Sequence, residues 1–264
     1  MPTIHPTAIL TGDITLADDV SIGPYCVLTG PLTIGAGTRL MGNNYLTGPA
    51  TIGPRNTFYP FAAVGFAPQD LSFDPLHPGP GVVMGEGNTM REQVTIHRAT
   101  REDTPTQIGN HNYIMIGAHL GHDSIIGDHC VLVNYAAVGG HVRLDDRVVI
   151  SGVGGIHQFC RAGRGAFIAG GILTTKDLPP WFMLTGNNCA GSLNVVGMRR
   201  NNLPQDQIAD IKWVFKILYR RGLSMAKATV ALEERGDNPT IKEYLDFIHS
   251  SERGIVRGRP DPRR

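Results

Sequence analysis

Histidine, carboxylate and glycine recur in the middle of this chain at a spacing that suits proton-transfer chemistry. Residues 116–123 read IGAHLGHD, which puts His119, His122 and Asp123 in one short run, and His141, His157 and Gln158 follow. His122, Gly140 and Gln158 stand eighteen residues apart in turn; so do Asp123 and His141, and so do Gly121, Gly139 and His157. A histidine with an ordinary pKa near 6.5 can take a proton from a hydroxyl at neutral pH. A carboxylate beside it fixes the tautomer and stabilises the imidazolium. A bare glycine leaves its N–H open to an approaching oxyanion. Such a set suits acyl transfer. No Ser or Cys nucleophile stands beside it, so direct attack by an acceptor hydroxyl is simpler than a covalent acyl-enzyme. Any one of these histidines alone is ordinary surface polarity; their common spacing is the signal.

A repeat must hold residues at that spacing. Every sixth residue from Ile4 to Val64 is apolar, and the period resumes from Met84 to Ile168 with Glu102 as its single miss. The phase breaks over the Pro/Gly-rich stretch 70–83, and the miss lies in the polar segment 101–107. Gly often follows the aliphatic, as in Ile22-Gly23 and Ile108-Gly109; four positions after it stands a small or β-branched residue, such as Ala8, Val20, Thr38 or Ala118. A period of six fits neither a helix nor a lone amphipathic strand. It fits short strands joined by tight turns, each repeat forming one flat side of a coil. The 33 glycines among 264 residues, against about 18 or 19 at average usage, then serve the turns.

Composition excludes several classes. The glycines have no collagen period, and 41 % apolar content is too high for a disordered chain. With 7 % aromatic and 18 % charged residues, the core is built from small aliphatics. A net charge of +1 argues against nucleic-acid binding through bulk charge. No apolar run reaches the roughly 18 residues of a membrane span, and the start, MPTIHPTAIL, lacks a signal-peptide pattern. A cytoplasmic location is the expectation. Cys26, Cys130 and Cys160 fall on the inward small position and read as core filler, whereas Cys189 lies outside the pattern. Neither a zinc site nor a disulfide framework has that spacing.

After Pro179-Pro180 the pattern becomes helical. Ile208, Ile211, Phe215 and Leu218 share a helix face with Gly222 as its stop, and 224–235 and 240–249 read as helices capped by Ser224 and Thr240. The expected division is a β-helix over 1–190, with loops near 66–83 and 101–107, and an α-helical domain over 191–264. Residues 197–264 hold 14 Lys and Arg against 9 Asp and Glu. A basic helical cap of this kind could dock an acidic carrier; ordinary solvated helix faces would look the same.

The hexads over 4–173 resemble the hexapeptide-repeat family, which implies a left-handed parallel β-helix with three hexads, eighteen residues, per coil. Positions eighteen apart then stack about 4.8 Å from one another. His122, Gly140 and Gln158 become one column at an outward corner, flanked by the column of Asp123 and His141 and by that of Gly121, Gly139 and His157. The runs VTIHRAT (94–100), IGAHLGHD, GGH (139–141) and IHQFC (156–160), with PQDL (68–71) and the helical cap, look like the UDP-N-acetylglucosamine O-acyltransferases that begin lipid A biosynthesis. The resemblance implies transfer of a 3-hydroxyacyl group from acyl carrier protein to the 3-hydroxyl of a UDP-amino sugar. It implies a homotrimer with sites between subunits and no cofactor besides the acyl carrier protein. It assigns His122 as general base, Asp123 as its orienting partner and the Gly140 N–H as oxyanion donor. Gln69, Asp70, His119, His141, His157, Gln158, Asn194 and Arg200 are implied to bind substrate, and Gly170 to set acyl-chain length. No metal ligand, nucleic-acid partner or membrane segment is implied.

Three departures bear on the acceptor. Ser72 stands where the family usually has Lys, Val196 where Glu is common, and Asn201 where a second Arg is expected. A paralogue with the same chemistry on another nucleotide sugar, such as a 3-amino sugar, is therefore an open alternative. A zinc hydratase on the same fold, using His119, His122 and His141, is a second, although a pair only three residues apart is the wrong spacing. A non-enzymatic scaffold is a third, because fold does not specify function.

Overall fold

The computed structural model describes residues 1–101 and 103–259. Glu102, the hexad miss, and residues 260–264 of the expected helical domain lie outside the described residues. Strands of two to four residues run from Thr3 to Thr174 and stack into three sheets, of 9, 9 and 8 strands, the first of which grows to 12 with strands beyond Thr174. The coils pair in parallel at an offset of eighteen residues, as with Thr3 and Ser21, Val131 and Val149, and Ala137 and Gly155. The chain is a parallel β-helix. Its hexad aliphatics point inward: Ile22, Leu40, Leu120 and Val138 are all at most 1 % exposed, each burial contributing about 1.5–3 kcal/mol. Ile4, on the first coil with no coil beneath it, is 43 % exposed.

Two insertions interrupt the stacking. Thr57 pairs with Thr89, an offset of 32, and Thr89 with Tyr113, an offset of 24. Fourteen and six extra residues therefore leave the coil, the first set after Ala63–Phe66 and the second after Thr95–His97. These are the loops that the phase breaks anticipate.

Cys26, Cys130 and Cys160 are buried inside the coil as unpaired thiols, and Cys189 is half-buried. The same inward position also carries Asn44, Asn56, Asn88 and Asn112, all fully or nearly fully buried, a polar choice that the small-residue rule does not anticipate. Their amides knit coil to coil. The Asn88 N–H donates to Asn56 Oδ1 and the Asn112 N–H to Asn88 Oδ1, both at 2.8 Å, while Asn88 Nδ2 donates to the Gly109 carbonyl at 2.9 Å.

Beyond the coil, a hairpin of Phe182–Gly186 and Cys189–Leu193 continues the longest sheet. Four helices follow: α1 (Val195–Arg200), α2 (Gln205–Tyr219), α3 (Met225–Glu233) and α4 (Pro239–His249). The hairpin and α1 are too short to stand out by period. Ser224 caps α3 as expected, but the cap of α4 is Asn238, whose side chain accepts from the N–H groups of Thr240 and Ile241, with Pro239 in the first turn. The few aromatic rings concentrate where the cap closes the coil. Phe182 lies 5.1 Å from Phe215 and 5.6 Å from Tyr244, and the Tyr244 hydroxyl donates to the Pro180 carbonyl at 2.8 Å. Among the described residues, no helix is long and apolar enough to cross a membrane.

The asparagine column yields a stability prediction. Asn88→Ala strips the acceptor from the buried Asn112 N–H and should cost about 1–3 kcal/mol. Thermal unfolding should show a midpoint several degrees lower than that of the unaltered chain, and an unchanged midpoint would remove the column from the account of stability.

Candidate active site

The histidine corner is built by backbone that most residues avoid. Asp123, His141 and Phe159 occupy the same turn position on successive coils with φ of 58°, 59° and 66°, in the left-handed region that Asp and His tolerate better than most side chains do. The coil ladder continues through them, since the His141 N–H donates to the His122 carbonyl at 2.9 Å and the Phe159 N–H to Gly140 at 3.0 Å. Residues eighteen apart therefore meet. His141 lies edge-on to His122, with ring centroids 5.1 Å apart, and stacks flat on Phe159 at 4.6 Å.

His122 Nδ1 lies 2.6 Å from Asp123 Oδ2. Burial alone would raise the Asp123 carboxyl, but hydrogen bonds from His122, Thr100 and Arg101 outweigh it and hold the group well below the carboxylate range. The second insertion supplies most of those donors: the Thr100 hydroxyl at 2.7 Å, the Thr100 N–H at 3.1 Å and the Arg101 N–H at 3.1 Å. An ionised carboxylate can only accept, so Nδ1 of His122 carries the proton and Nε2 is left for chemistry. That Nε2 faces Gly140, where an added Cβ would lie 2.7 Å from it. The Gly140 N–H has no hydrogen-bond partner among the described residues.

A cleft of about 470 Å³ opens beside this pair, bounded by Gln69, His97, His119, His122, Gly140, His157 and Gln158. Its floor is apolar or bare: Ala137, Val138, Gly155, Ile156 and Leu173. Thr95 Oγ1 meets His119 Nδ1 at 2.8 Å, and burial beside His122 lowers the His119 pKa. Ser124, the nearest serine in the chain, is buried and spends its hydroxyl on the Gly121 carbonyl at 2.7 Å. His97 is a member that the sequence reading does not single out. It packs edge-on against His119 at 4.9 Å, and burial, with His119, His122 and Arg98 close by, pushes its imidazole down to about 4. The 24-residue offset at this coil hides it, since Thr95 rather than the residue eighteen back pairs with His119.

Arg98 holds the first insertion over the cleft. Its guanidinium is buried and donates to three backbone carbonyls: Gly65 at 3.1 Å, Pro75 at 2.7 Å and His77 at 2.9 Å. That clamp carries Gln69 to the cleft wall. Asp70 next to it is held below its usual pKa by the N–H and hydroxyl of Ser72, at 2.9 and 2.7 Å, and feels the charges of His122 and His141.

The remaining candidates lie elsewhere on the chain. Asn194 and Arg200 border a second cleft, of about 660 Å³, with His129, Arg147, Phe167, Trp181, Val196 and Asn201. Asn194 is buried as the N-cap of α1: its Oδ1 accepts from Gly197 N–H and its Nδ2 donates to the Gly165 carbonyl, both at 2.9 Å. Asn201 accepts from Arg147 Nε at 2.6 Å, so a second cation stands next to Arg200 after all. Gly170 is exposed at a corner and borders neither cleft; a Cβ there would meet only the Gly152 carbonyl, at 3.4 Å. His122, Asp123 and His141 bring potential metal-donor atoms within 4.8 Å of one another. His119 is not one of this trio, which is therefore not the three-histidine set of the hydratase alternative.

Residues 177–256 match the family described as UDP-N-acetylglucosamine O-acyltransferase, domain 2, and residues 105–140 match bacterial transferase hexapeptide repeats. An acyl-[acyl-carrier-protein]–UDP-N-acetylglucosamine O-acyltransferase of Ectopseudomonas mendocina is 47 % identical over 262 residues, covering 97 % of this chain and 100 % of the relative. Among solved structures, a UDP-N-acetylglucosamine acyltransferase from Francisella novicida superposes with a TM-score of 0.92 at 35 % identity, covering 98 % of this chain and 95 % of that one. A UDP-N-acetylglucosamine O-acyltransferase from Moraxella catarrhalis does so with 0.90 at 36 %, covering 96 % and 99 %.

Burial of the histidines makes stability depend on pH. His97 titrates at about 4 in the folded chain and at about 6.5 when unfolded. The unfolded state therefore binds the proton first, and stability is complete above pH 6.5 and lost as pH falls toward 4. His119 and His141, both lowered chiefly by burial, act in the same sense. The thermal midpoint should drop between pH 7 and pH 4.5, and drop less in His97→Gln, which cannot titrate. Equal drops would show that His97 does not contribute.

Proposed function

The chain belongs to the UDP-N-acetylglucosamine O-acyltransferase family and is an enzyme, and we propose that it moves a 3-hydroxyacyl group from acyl carrier protein to the 3-position of a UDP-amino sugar. The acceptor of this reading is UDP-N-acetylglucosamine or a close analogue, and the step is the first of lipid A biosynthesis. One observation carries the reading: His122, bonded through Nδ1 to an ionised Asp123, aims Nε2 at a glycine whose N–H meets no partner among the described residues.

The chemistry follows from that geometry. The sugar 3-hydroxyl attacks the thioester carbonyl while His122 Nε2 removes its proton, so that a C–O bond forms. The carbonyl electrons move onto oxygen, and the Gly140 N–H receives that oxyanion. Collapse of the adduct breaks the C–S bond, and the departing thiolate takes the proton from the imidazolium. Base catalysis of this kind contributes about 10²–10⁴-fold, and one oxyanion donor about 10²–10³-fold. Asp123 stabilises the imidazolium and His141 buttresses the dyad, its Nε2 lying 3.6 Å from the same carboxylate. His119, His157, Gln158, Gln69 and Asp70 then bind the acceptor and the acyl group at the rim.

Asn194 and Arg200 belong to the site of a neighbouring subunit in this reading. They border a different cleft from His122, so a homotrimer, with one chain's second cleft facing the next chain's first, is what joins them. Arg147 and Arg200 would meet the diphosphate there. The pair of cations supports a nucleotide-bound acceptor despite Asn201, while Ser72 and Val196 leave room for an analogue of the sugar. The reading requires no metal.

The test incubates the protein with acyl carrier protein charged with several 3-hydroxyacyl chains and with a panel of UDP-sugars, and reads products by mass. Acylation of an amino-sugar nucleotide is expected, undiminished by a chelator. His122→Ala should lose at least about 10²-fold in turnover while still unfolding in one cooperative thermal transition. Near-normal turnover in that variant would end the base assignment. Stoichiometric zinc with hydratase activity, or no acylation of any acceptor, would favour the other readings.

A further inference from the structure

We infer that Arg98 is a positioning residue for the acceptor half of the reaction, acting on the nucleotide sugar through Gln69 and Asp70; this rests on the acyltransferase reading. The coil register puts Arg98 next to the chemistry. Thr95 pairs with His119 and Ile96 with Leu120, so two residues further on the place of His122 falls to Arg98 on the preceding coil. The Arg98 N–H donates to the Phe66 carbonyl at 3.1 Å, which ties its backbone to the strand Ala63–Phe66 from which the first insertion departs. Its side chain then spans the gap. Nη1 donates to the Gly65 carbonyl on that strand, and Nη2 donates to the carbonyls of Pro75 and His77 in the insertion. Nε has no partner among the described residues, so the two terminal nitrogens carry the whole hold.

Little else ties the insertion down. Among the described residues, the carbonyls of Pro75 and His77 are the only groups of 67–80 that hydrogen-bond outside that segment, and both bond to Arg98. Packing does not take over the task. Pro68 is buried, but none of residues 69–80 is, and Leu71 and Leu76 stand out in solvent. The one phenyl ring of the segment, that of Phe73, lies 5.7 Å from the guanidinium, so it too packs on Arg98.

The hold is transmitted to the residues that meet the acceptor. The His77 N–H donates to the Asp74 carbonyl at 3.0 Å and the Phe73 N–H to the Asp70 carbonyl at 3.1 Å, so two linked turns join the gripped carbonyls to Asp70 and Gln69. Neither acid of the insertion is spent on the guanidinium. Asp74 Oδ1 accepts from the Leu76 N–H at 2.9 Å, and Asp70 Oδ1 accepts from the N–H and hydroxyl of Ser72. Asp70 therefore stays near the catalytic corner, where it feels His122 and His141, and Gln69 borders the cleft. A guanidinium that grips carbonyls fixes the path of the backbone and leaves the carboxylates free for substrate. The dyad has other holders: Thr100 and Arg101 reach Asp123 through groups that the Arg98 side chain does not touch. Loss of the Arg98 fork is thus a loss to the acceptor and not to the base.

Steady-state kinetics on Arg98→Met, which keeps an apolar stem and removes the donors, tests this. The two substrates are acyl carrier protein bearing a 3-hydroxyacyl chain and the UDP-sugar that the unaltered chain acylates, each varied in turn. Misplacement of a positioned group by about 1 Å can cost about 10²-fold. A fall of that order is expected in kcat/KM for the UDP-sugar, lying in its KM. The KM for acyl carrier protein and the pH profile of kcat, which reports the His122 dyad, should stay as they are. Arg98→Lys keeps the charge without the fork and should fall between. Combined with Asp70→Ala, Arg98→Met should cost less than it does alone, because the group it positions is already gone. Three results would each overturn the inference and leave the acyltransferase reading intact: an unchanged UDP-sugar KM in folded Arg98→Met, a loss shared evenly by kcat and both KM values, or full additivity with Asp70→Ala. Should Arg98→Met not fold, the same split and the same cycle on Arg98→Lys decide. Failure of the unaltered chain to acylate any UDP-sugar would overturn that reading, and the inference with it.

Discussion

The eighteen-residue stacking of parallel coils is the constraint on which everything else rests. Backbone N–H groups along the strands bond to the coils on either side, as Val131 does to Val148 and Leu32 to Asp13, so a residue's neighbours in space are set by arithmetic on its number. Inward positions fill with aliphatics because the interior is dry and narrow. Chemistry is thereby confined to outward positions and corners, where the same arithmetic lines it into columns. The dyad and the Gly140 N–H are readings of two adjacent columns. Neither needs a mobile loop to bring its members together, and a rigid scaffold keeps catalytic groups within the tolerance that rate demands.

The two departures from the register carry as much weight as the register itself. Six added residues bring Thr100 and Arg101 onto the Asp123 carboxylate. Without those donors the carboxyl, already penalised by burial, would lose most of what keeps it ionised, and His122 would lose the acceptor that fixes its tautomer. Fourteen added residues form the loop that carries Gln69, and the buried guanidinium of Arg98 pins it through carbonyls rather than carboxylates. A neutral residue could not satisfy three carbonyls at once, and an acid facing Arg98 would add negative charge beside the dyad.

How much of this was legible depended on whether a feature has a period. The β-helix, the two loops and the inward cysteines follow from counting in sixes, and the His122 corner from counting in eighteens once the family's coil length is adopted. His97 and Thr95 were hidden because the second insertion shifts their partner by six, and no local pattern announces how many residues a loop removes from the coil. The asparagine column was hidden for a different reason. Asn88 and Asn112 read as exceptions to a small-residue rule until their amides are seen bridging coils, a gain that depends on both neighbours being present. Asn194 illustrates the limit of transfer by motif, because its side chain also caps α1 and bonds to Gly165. The short hairpin and α1 have too few residues to display either period. Asn238, rather than Thr240, caps α4 because Pro239 suits the first turn and so moves the cap one residue before itself.

Backbone strain explains why the corner tolerates little change. Left-handed φ at Asp123, His141 and Phe159 costs each of them something that the surrounding ladder must supply. Glycine would relieve the strain at any of the three, yet each uses its side chain: Asp123 holds His122, His141 leans on both, and Phe159 stacks on His141. At Gly140 the balance reverses, because any side chain would strike the imidazole. A glycine count that first marks only the turns thus ends by dividing the outward surface into places that must act and places that must stay empty, and the reactive geometry lies where the two kinds adjoin.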